Sequence, residues 1–307
     1  MTVALVLVFN LLAGFNDGGN LIATLLPSRL RPILLWVWLA VVVALGPAVL
    51  GTHVADTIVR RIVAPQGLGR ILAPAAAASV LVVLASWWLR VPTSMSLALI
   101  GAMAGAALAT GGQVLWAGAV RALVGFVLTV LLGGLLGLLC ARYGRQLLRR
   151  LQRGTALAAL LLATALLEGL AYGGNDLEKA IGLLQFSGFA PTAAVLSAAA
   201  SFAVGSVFGS WRIARTVSSQ ILRLRPPEAL YTQAATGLAV VLASTLGVPV
   251  STSQTVDASL LGVGTAQDPR KVGWRVARRM VAAWFLTPAA ACLIGGALAW
   301  ISLLLVA

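Results

Sequence analysis

The sequence predicts an all-α polytopic membrane protein made of two inverted-topology repeats, each with broken spans and a re-entrant helical hairpin. Three observations predict it. The 307 residues are 60% hydrophobic and only 10% charged, far from the roughly 25% charged, 45–50% apolar mixture of soluble domains. The same polar landmarks occur in the same order in both halves. Several apolar stretches of about the 20 residues needed to cross hydrocarbon are interrupted by Gly, Pro or polar clusters.

The landmarks define the repeat. Asn16-Asp17 and Asn175-Asp176 are 159 positions apart (175 − 16), about half the chain. Gly51 to Ile62 matches Ser210 to Ile221 at that offset, with Val54/Ile213, Ala55/Ala214, Thr57/Thr216 and Ile58/Val217 in register. Val91-Pro92-Thr93-Ser94-Met95-Ser96 matches Val248-Pro249-Val250-Ser251-Thr252-Ser253 at an offset of 157. Residues 1–140 read as the first repeat, 141–154 as a basic linker and 155–307 as the second repeat.

Spans follow from the apolar runs. In the first half we expect 2–27, broken near Gly14, then 33–52, then 71–89 and 96–110 as arms meeting at Pro92-Thr93-Ser94, then 114–140. The second half repeats this as 156–187, 192–210, 228–247 with 254–267, and 280–304. Three crossings and one hairpin make an odd number of crossings per half, so the halves must be inverted. Arg29, Arg31 and the arginines of 142–153, 212–225 and 270–279 then share one side, which the positive-inside rule makes the cytoplasm. Both termini lie outside on this reading, and Arg60, Arg61 and Arg70 run against the pattern. The N-terminal run lacks a basic n-region and a small-residue cleavage site, so it reads as the first span.

Composition also excludes functions. The net charge of +14 comes from arginines that punctuate apolar runs instead of forming a basic domain; the partner implied is a lipid bilayer and not nucleic acid. Cys140 and Cys292 have no spacing that suggests a disulfide framework or a metal site. No nucleophile-base pair, histidine cluster or nucleotide loop is present, so neither an enzyme nor a bound metal or other cofactor is expected. His53, Asp56 and Arg215 read as interfacial or helix-end residues, and Trp36, Trp38, Trp87 and Trp88 as packing or belt residues.

The polar positions that remain carry the chemistry. An ionisable residue inside a membrane-length apolar stretch marks a substrate or ion path by default, which singles out Asp17 and Asp176 for a coupling ion or proton. Pro92 and Pro249 stop their arms from continuing as helices, and the hydroxyl residues after them, Ser94 and Ser96 and then Ser251, Thr252 and Ser253, begin new helices with unpaired N–H groups. Free amides and the helix dipole favour an anion. Two such tips meeting near the midplane could hold an oxyanion; alternatively the hydroxyls are N-caps or interhelical hydrogen bonds. Clustering of the polar groups at two broken motifs suits an occluded site reached alternately from each side better than a channel's continuous lining.

These motifs resemble those of the PiT family of inorganic phosphate transporters. Family motifs of the Gly-Ala-Asn-Asp-x-x-Asn-Ala kind match Phe15 to Leu21, keeping Asn16, Asp17 and Asn20, and Gly173 to Ala180, keeping Asn175 and Asp176. Pro-x-Ser-Thr-Thr-His matches Pro249 to Gln254 well and Pro92 to Leu97 poorly. The resemblance covers nearly the whole chain and implies two inverted repeats, paired re-entrant hairpins and cation-coupled phosphate uptake at the cell membrane. It adds Asn16, Asn20 and Asn175 to the hydroxyls as substrate-binding residues. Lys179 stands where the second motif has Asn, as in the bacterial low-affinity branch, which the resemblance associates with proton symport and the bacterial inner membrane. An ammonium there repels Na⁺ and can neutralise Asp176; its alternative role is a local salt bridge with Glu178 or Glu168. Sulfate remains an alternative substrate, Na⁺ an alternative coupling ion, and a homodimer is compatible with the sequence.

Overall fold

The computed structural model describes residues 1–28, 31–88, 93–151 and 155–305. Arg29, Val91, Pro92 and Arg153 lie outside the described residues. The first half contains α1 (Thr2–Leu25), α2 (Pro32–Leu50), α3 (His53–Arg60), α4 (Pro65–Trp88), α5 (Met95–Ala109) and α6 (Trp116–Leu151). The second contains α7 (Thr155–Tyr172), a π-helical turn (Gly173–Leu177), α8 (Glu178–Phe186), α9 (Pro191–Thr216) with a π-helical turn after it (Val217–Ile221), α10 (Pro226–Thr245), α11 (Thr252–Gln267) and α12 (Trp274–Leu304). Seven described segments are long and apolar enough to cross a membrane. On α2 the exposed residues Ile33, Val37, Val41, Leu45 and Val49 recur every fourth position, the spacing of one apolar stripe along a helix; facing outward, it meets lipid.

The hairpins are closed at their bases. Leu115 N donates to Ile62 O at 3.0 Å, and Gly273 N donates to Ile221 O at 2.9 Å. Residues just before α4 and just after α5 are therefore neighbours, as are those flanking α10 and α11. Each arm pair returns to the level at which it began. By composition α4 could cross a membrane, but its pairing with α5 makes it half of a re-entrant hairpin.

Small residues set which helices touch, and the pattern shows the inversion. Asn10 Nδ2 donates to Ala198 O at 2.6 Å, Ser206 Oγ donates to Gly14 O at 3.1 Å, and Gly19 lies against Ile213. So α1 and α9 run parallel. Gly169 lies against Val42, Gly173 against Val43 and Gly46, and Gly182 against Ala55, so α7 and α8 run parallel to α2 and α3. Successive spans reverse direction, hence α1 is antiparallel to α2 and so to α7. The last helix of each half crosses over in the same way: α12 packs on α5 at Gly101 and Gly105, and α6 packs on α11 at Gly133, Gly137 and Gly262. Close backbone approach through glycine is the usual means of helix association in lipid, where burial of apolar surface gives no driving force.

One expectation is corrected. The first span is not broken near Gly14, because α1 is continuous from Thr2 to Leu25. Gly14 and Gly18 instead admit Phe202 and Ser206 of α9. The break in the first half falls at Gly51, whose φ of 84° is a conformation that glycine adopts without the Cβ penalty. In the second half the same helix runs straight through as α9, and the Asn-Asp motif takes the π-helical turn.

Candidate functional site

The hairpin tips and the two Asn-Asp pairs converge. Ser96 Oγ of the first tip donates to Val250 O of the second at 2.9 Å. Each Asn holds the tip of its own repeat: Asn16 Nδ2 donates to Thr93 O at 3.1 Å, while Asn175 Nδ2 donates to Val248 O at 3.1 Å and Asn175 Oδ1 accepts from Val250 N at 3.0 Å. Each Asp reaches the tip of the other repeat. Ser253 Oγ donates to Asp17 Oδ1 at 3.0 Å, and Ser96 Oγ lies 3.4 Å from Asp176 Oδ1. Ser96 and Ser253 are equivalent, as are Asp17 and Asp176, so the crossed contacts obey the internal two-fold.

Lys179 breaks the symmetry. Its ammonium donates to Ser96 Oγ at 2.5 Å, Asp176 Oδ1 at 2.6 Å and Val250 O at 2.7 Å. An ammonium has three N–H donors, and all three are used. The ion pair with Asp176 is buried on both sides. Glu178 is not its partner: Glu178 Oε2 accepts from Val54 N at 2.8 Å and Ala55 N at 3.1 Å, capping the first turn of α3 across the repeat boundary. Glu168 is engaged elsewhere, accepting from Thr24 Oγ1 at 2.7 Å.

The tips differ too. Ser94 Oγ accepts from Leu97 N at 3.2 Å, an N-cap that satisfies one of the free donors of α5. Ser251 makes no such cap; its hydroxyl pairs with Ser253 Oγ at 3.3 Å. Thr252 Oγ1 and both amide atoms of Gln254 are buried without a hydrogen-bond partner among the described residues. Met95 and Leu97 stand in their places on the first tip. The second tip thus offers free backbone amides, a hydroxyl and an amide side chain, while the first is capped and half apolar. Asn20 and Asp257 add buried unpartnered oxygens nearby: Asn20 lies one turn beyond Asp17 on α1, and Asp257 lies one turn beyond Ser253 on α11. Buried polar groups are as a rule hydrogen-bonded, and such a group of open atoms can receive a hydrogen-bonding ligand.

All the residues expected from the sequence to bind substrate or coupling ion, Asn16, Asp17, Asn20, Ser94, Ser96, Asn175, Asp176, Lys179, Ser251, Thr252 and Ser253, sit in or beside this cluster, and all except Asn16 are buried. Within it Ser94 caps a helix and Asn16 and Asn175 brace the tips. Asp257, Gln254, Val250 O and the Thr93–Thr287 hydroxyl pair join them. Asp257 was open to the rule that picked out Asp17, an ionisable residue in a membrane-length run, but α11 is rich in Ser, Thr and Gln and gives little contrast. No group of three or more His, Cys, Asp or Glu able to hold a metal ion occurs among the described residues.

Comparison with known proteins finds relatives along nearly the whole chain. A model of the phosphate transporter family matches residues 13–159 and again 146–295, one match for each half. A probable low-affinity inorganic phosphate transporter of Rhizobium meliloti (strain 1021) is 32% identical over 309 residues, covering 95% of this chain and 92% of that protein. One from Bacillus subtilis (strain 168) is 28% identical, covering 94% and 92%. Among solved structures, one described as the sodium-dependent phosphate transporter superposes with a TM-score of 0.85 over 99% of this chain and 98% of its own, at 19% identity; it shares the fold.

Proposed function

The chain belongs to the phosphate transporter family, and from that premise we propose that it takes up inorganic phosphate by proton symport, with the anion held between the two hairpin tips and exposed to each side of the membrane in turn. It is a multi-pass membrane transporter and not an enzyme. The observation that carries the symport reading is the charge balance at the crossed Asp-Ser contacts. Asp17, Asp176 and Asp257 are buried there, and Lys179 is the base buried beside them. An oxyanion brought beside these carboxylates is repelled unless positive charge enters with it, since a buried charge without a partner is strongly unfavourable. A cation or proton that neutralises a carboxylate lets the anion in; loss of either favours release of the other.

In this reading the second tip binds the anion through the N–H groups at the start of α11 with Thr252, Ser251 and Gln254, and Asp17 takes the coupling proton. Lys179 holds Asp176 neutralised and keeps the first tip docked on Val250. Sodium coupling has one observation in its favour, the open oxygens of Asn20 and Asp257 beside Asp17, because hard cations prefer oxygen ligands. The substrate is tested with purified protein in liposomes. Uptake of labelled phosphate should saturate and be competed by arsenate, which has the same protonated tetrahedral form, and less by sulfate. Flux that rises linearly with substrate would make the protein a channel, and competition by sulfate equal to that by arsenate would make it a general oxyanion carrier.

A further inference from the structure

Asp17, Asp176 and Lys179 occupy the centre of the site; Glu168, about two helical turns earlier on α7, has no task there. Its side chain is fully buried. Oε2 accepts from Thr24 Oγ1 at 2.7 Å, Oε1 has no partner, and no Lys, Arg or His forms an ion pair with it among the described residues. An ionised carboxylate with one neutral donor is too costly to bury, and such a group takes a proton instead. The contacts suit both forms. When Glu168 carries a proton on Oε2, it can donate to Thr24 Oγ1, whose own hydroxyl then donates to Leu21 O at 2.9 Å. When the proton leaves, the Thr24 hydroxyl turns to Oε2.

Polar groups continue on either side of Glu168. Away from the centre, Gln233 Nε2 donates to Thr24 O at 3.0 Å and Thr164 Oγ1 donates to Gln233 Oε1 at 2.7 Å; Thr164 is half-buried. Toward the centre, Tyr172 lies one turn on, its buried hydroxyl without a partner and within electrostatic reach of Glu168, Asp17, Asp176 and Asp257. The elements around this stretch of α7 bring no base: α1 brings Thr24 and Asp17, α2 brings Trp38 and Val42, α10 brings Gln233 and Gly237, α11 brings Asp257, and the π-helical turn brings Asp176.

We propose that Glu168 is a proton-binding site through which the coupling proton passes between the central carboxyls and the side of the membrane where α7 begins. Over one cycle Glu168 gains a proton and becomes neutral as an Asp17 acid becomes a carboxylate, then releases that proton on the Thr164 side and returns to its carboxylate. Charge and protons balance, and no other reactant is needed. The proposal rests on the proton-symport reading.

The test is Glu168→Gln in proteoliposomes, read in two ways: accumulation of labelled phosphate under an imposed proton gradient, and phosphate counterflow at equal pH. Gln keeps the hydrogen bond to Thr24 but cannot cycle a proton. Accumulation should fall about tenfold or more, as for a coupling that is lost, while counterflow persists. Glu168→Asp should restore accumulation with a displaced pH profile. Accumulation equal to wild type in Glu168→Gln would overturn the proposal and leave symport standing. A wild-type protein driven by Na⁺ and indifferent to a proton gradient would overturn both. Should Glu168→Gln lose counterflow too, Glu168→Asp decides: an unchanged pH profile would reduce Glu168 to a packing residue.

Discussion

In the first repeat Asp17 is met by Ser253 and Asn16, and one turn on stands Asn20 with an unpartnered oxygen. In the second, Asp176 is met by Ser96 and, at the position equivalent to Asn20, by an ammonium with all its donors engaged. A second difference lies one residue earlier. Glu178 caps α3, while its equivalent, Gly19, lets α1 press onto α9, so that a Cβ there would come within 2.6 Å of Ile213 Cβ. The two follow from one event: where the partner helix breaks at Gly51, free N–H groups need an acceptor, and where it continues there are none to satisfy. Shared positions thus build the two-fold frame, and a few unlike side chains give its two ends different work. One end carries a tethered positive charge; the other keeps open oxygens, which in the proposed symport would face a mobile one.

The largest effect should separate Lys179 from Asn20. Lys179→Met leaves the Asp176 carboxylate buried without its partner, which costs about 3–5 kcal/mol, whereas Asn20→Ala removes an oxygen that nothing in the protein uses and should change stability little. Unfolding in detergent measures both, and equal losses would mean that the asymmetry has no energetic content. Next come the tips. Thr252→Ala and Ser251→Ala should each weaken phosphate uptake by the loss of a hydrogen bond to a charged group, about 1.5–3 kcal/mol, while Ser94→Ala should cost about 1 kcal/mol of stability through its cap and leave apparent affinity unchanged. A Ser94 variant as impaired in affinity as the others would place the anion on both tips equally. Smaller are the one-residue neighbours: Gly19→Ala should destabilise by about 1–3 kcal/mol through overpacking, and Glu178→Ala by about 1 kcal/mol through two uncapped amides. Reversed magnitudes would undo the account of the break at Gly51.

Much of this comparison was legible in the sequence. Offsets of 159 and 157 residues paired the Asn-Asp motifs and the tips, and the odd crossing count required inversion. The crossed partnership of each Asp with the opposite tip was not legible, because contacts such as Asp17–Ser253 span 236 residues and depend on how the halves dock. Gly14 misled for a local reason: glycine weakens a helix in water but in a membrane bundle serves close packing, and only the partner surface at Phe202 distinguishes the two uses. Glu168 was visible as a charge in an apolar run, yet its partner Thr24 is an unremarkable hydroxyl in the other half.

The most direct test of the asymmetry between the repeats is phosphate uptake into proteoliposomes under separately imposed proton and sodium gradients, for wild type and Lys179→Asn. With the tethered ammonium in place, uptake should follow the proton gradient and ignore replacement of Na⁺ by K⁺ or choline, and Lys179→Asn, which gives the second repeat the side chain of the first, should abolish or reshape the pH dependence. Wild-type uptake that needs Na⁺ and is indifferent to pH would contradict the account.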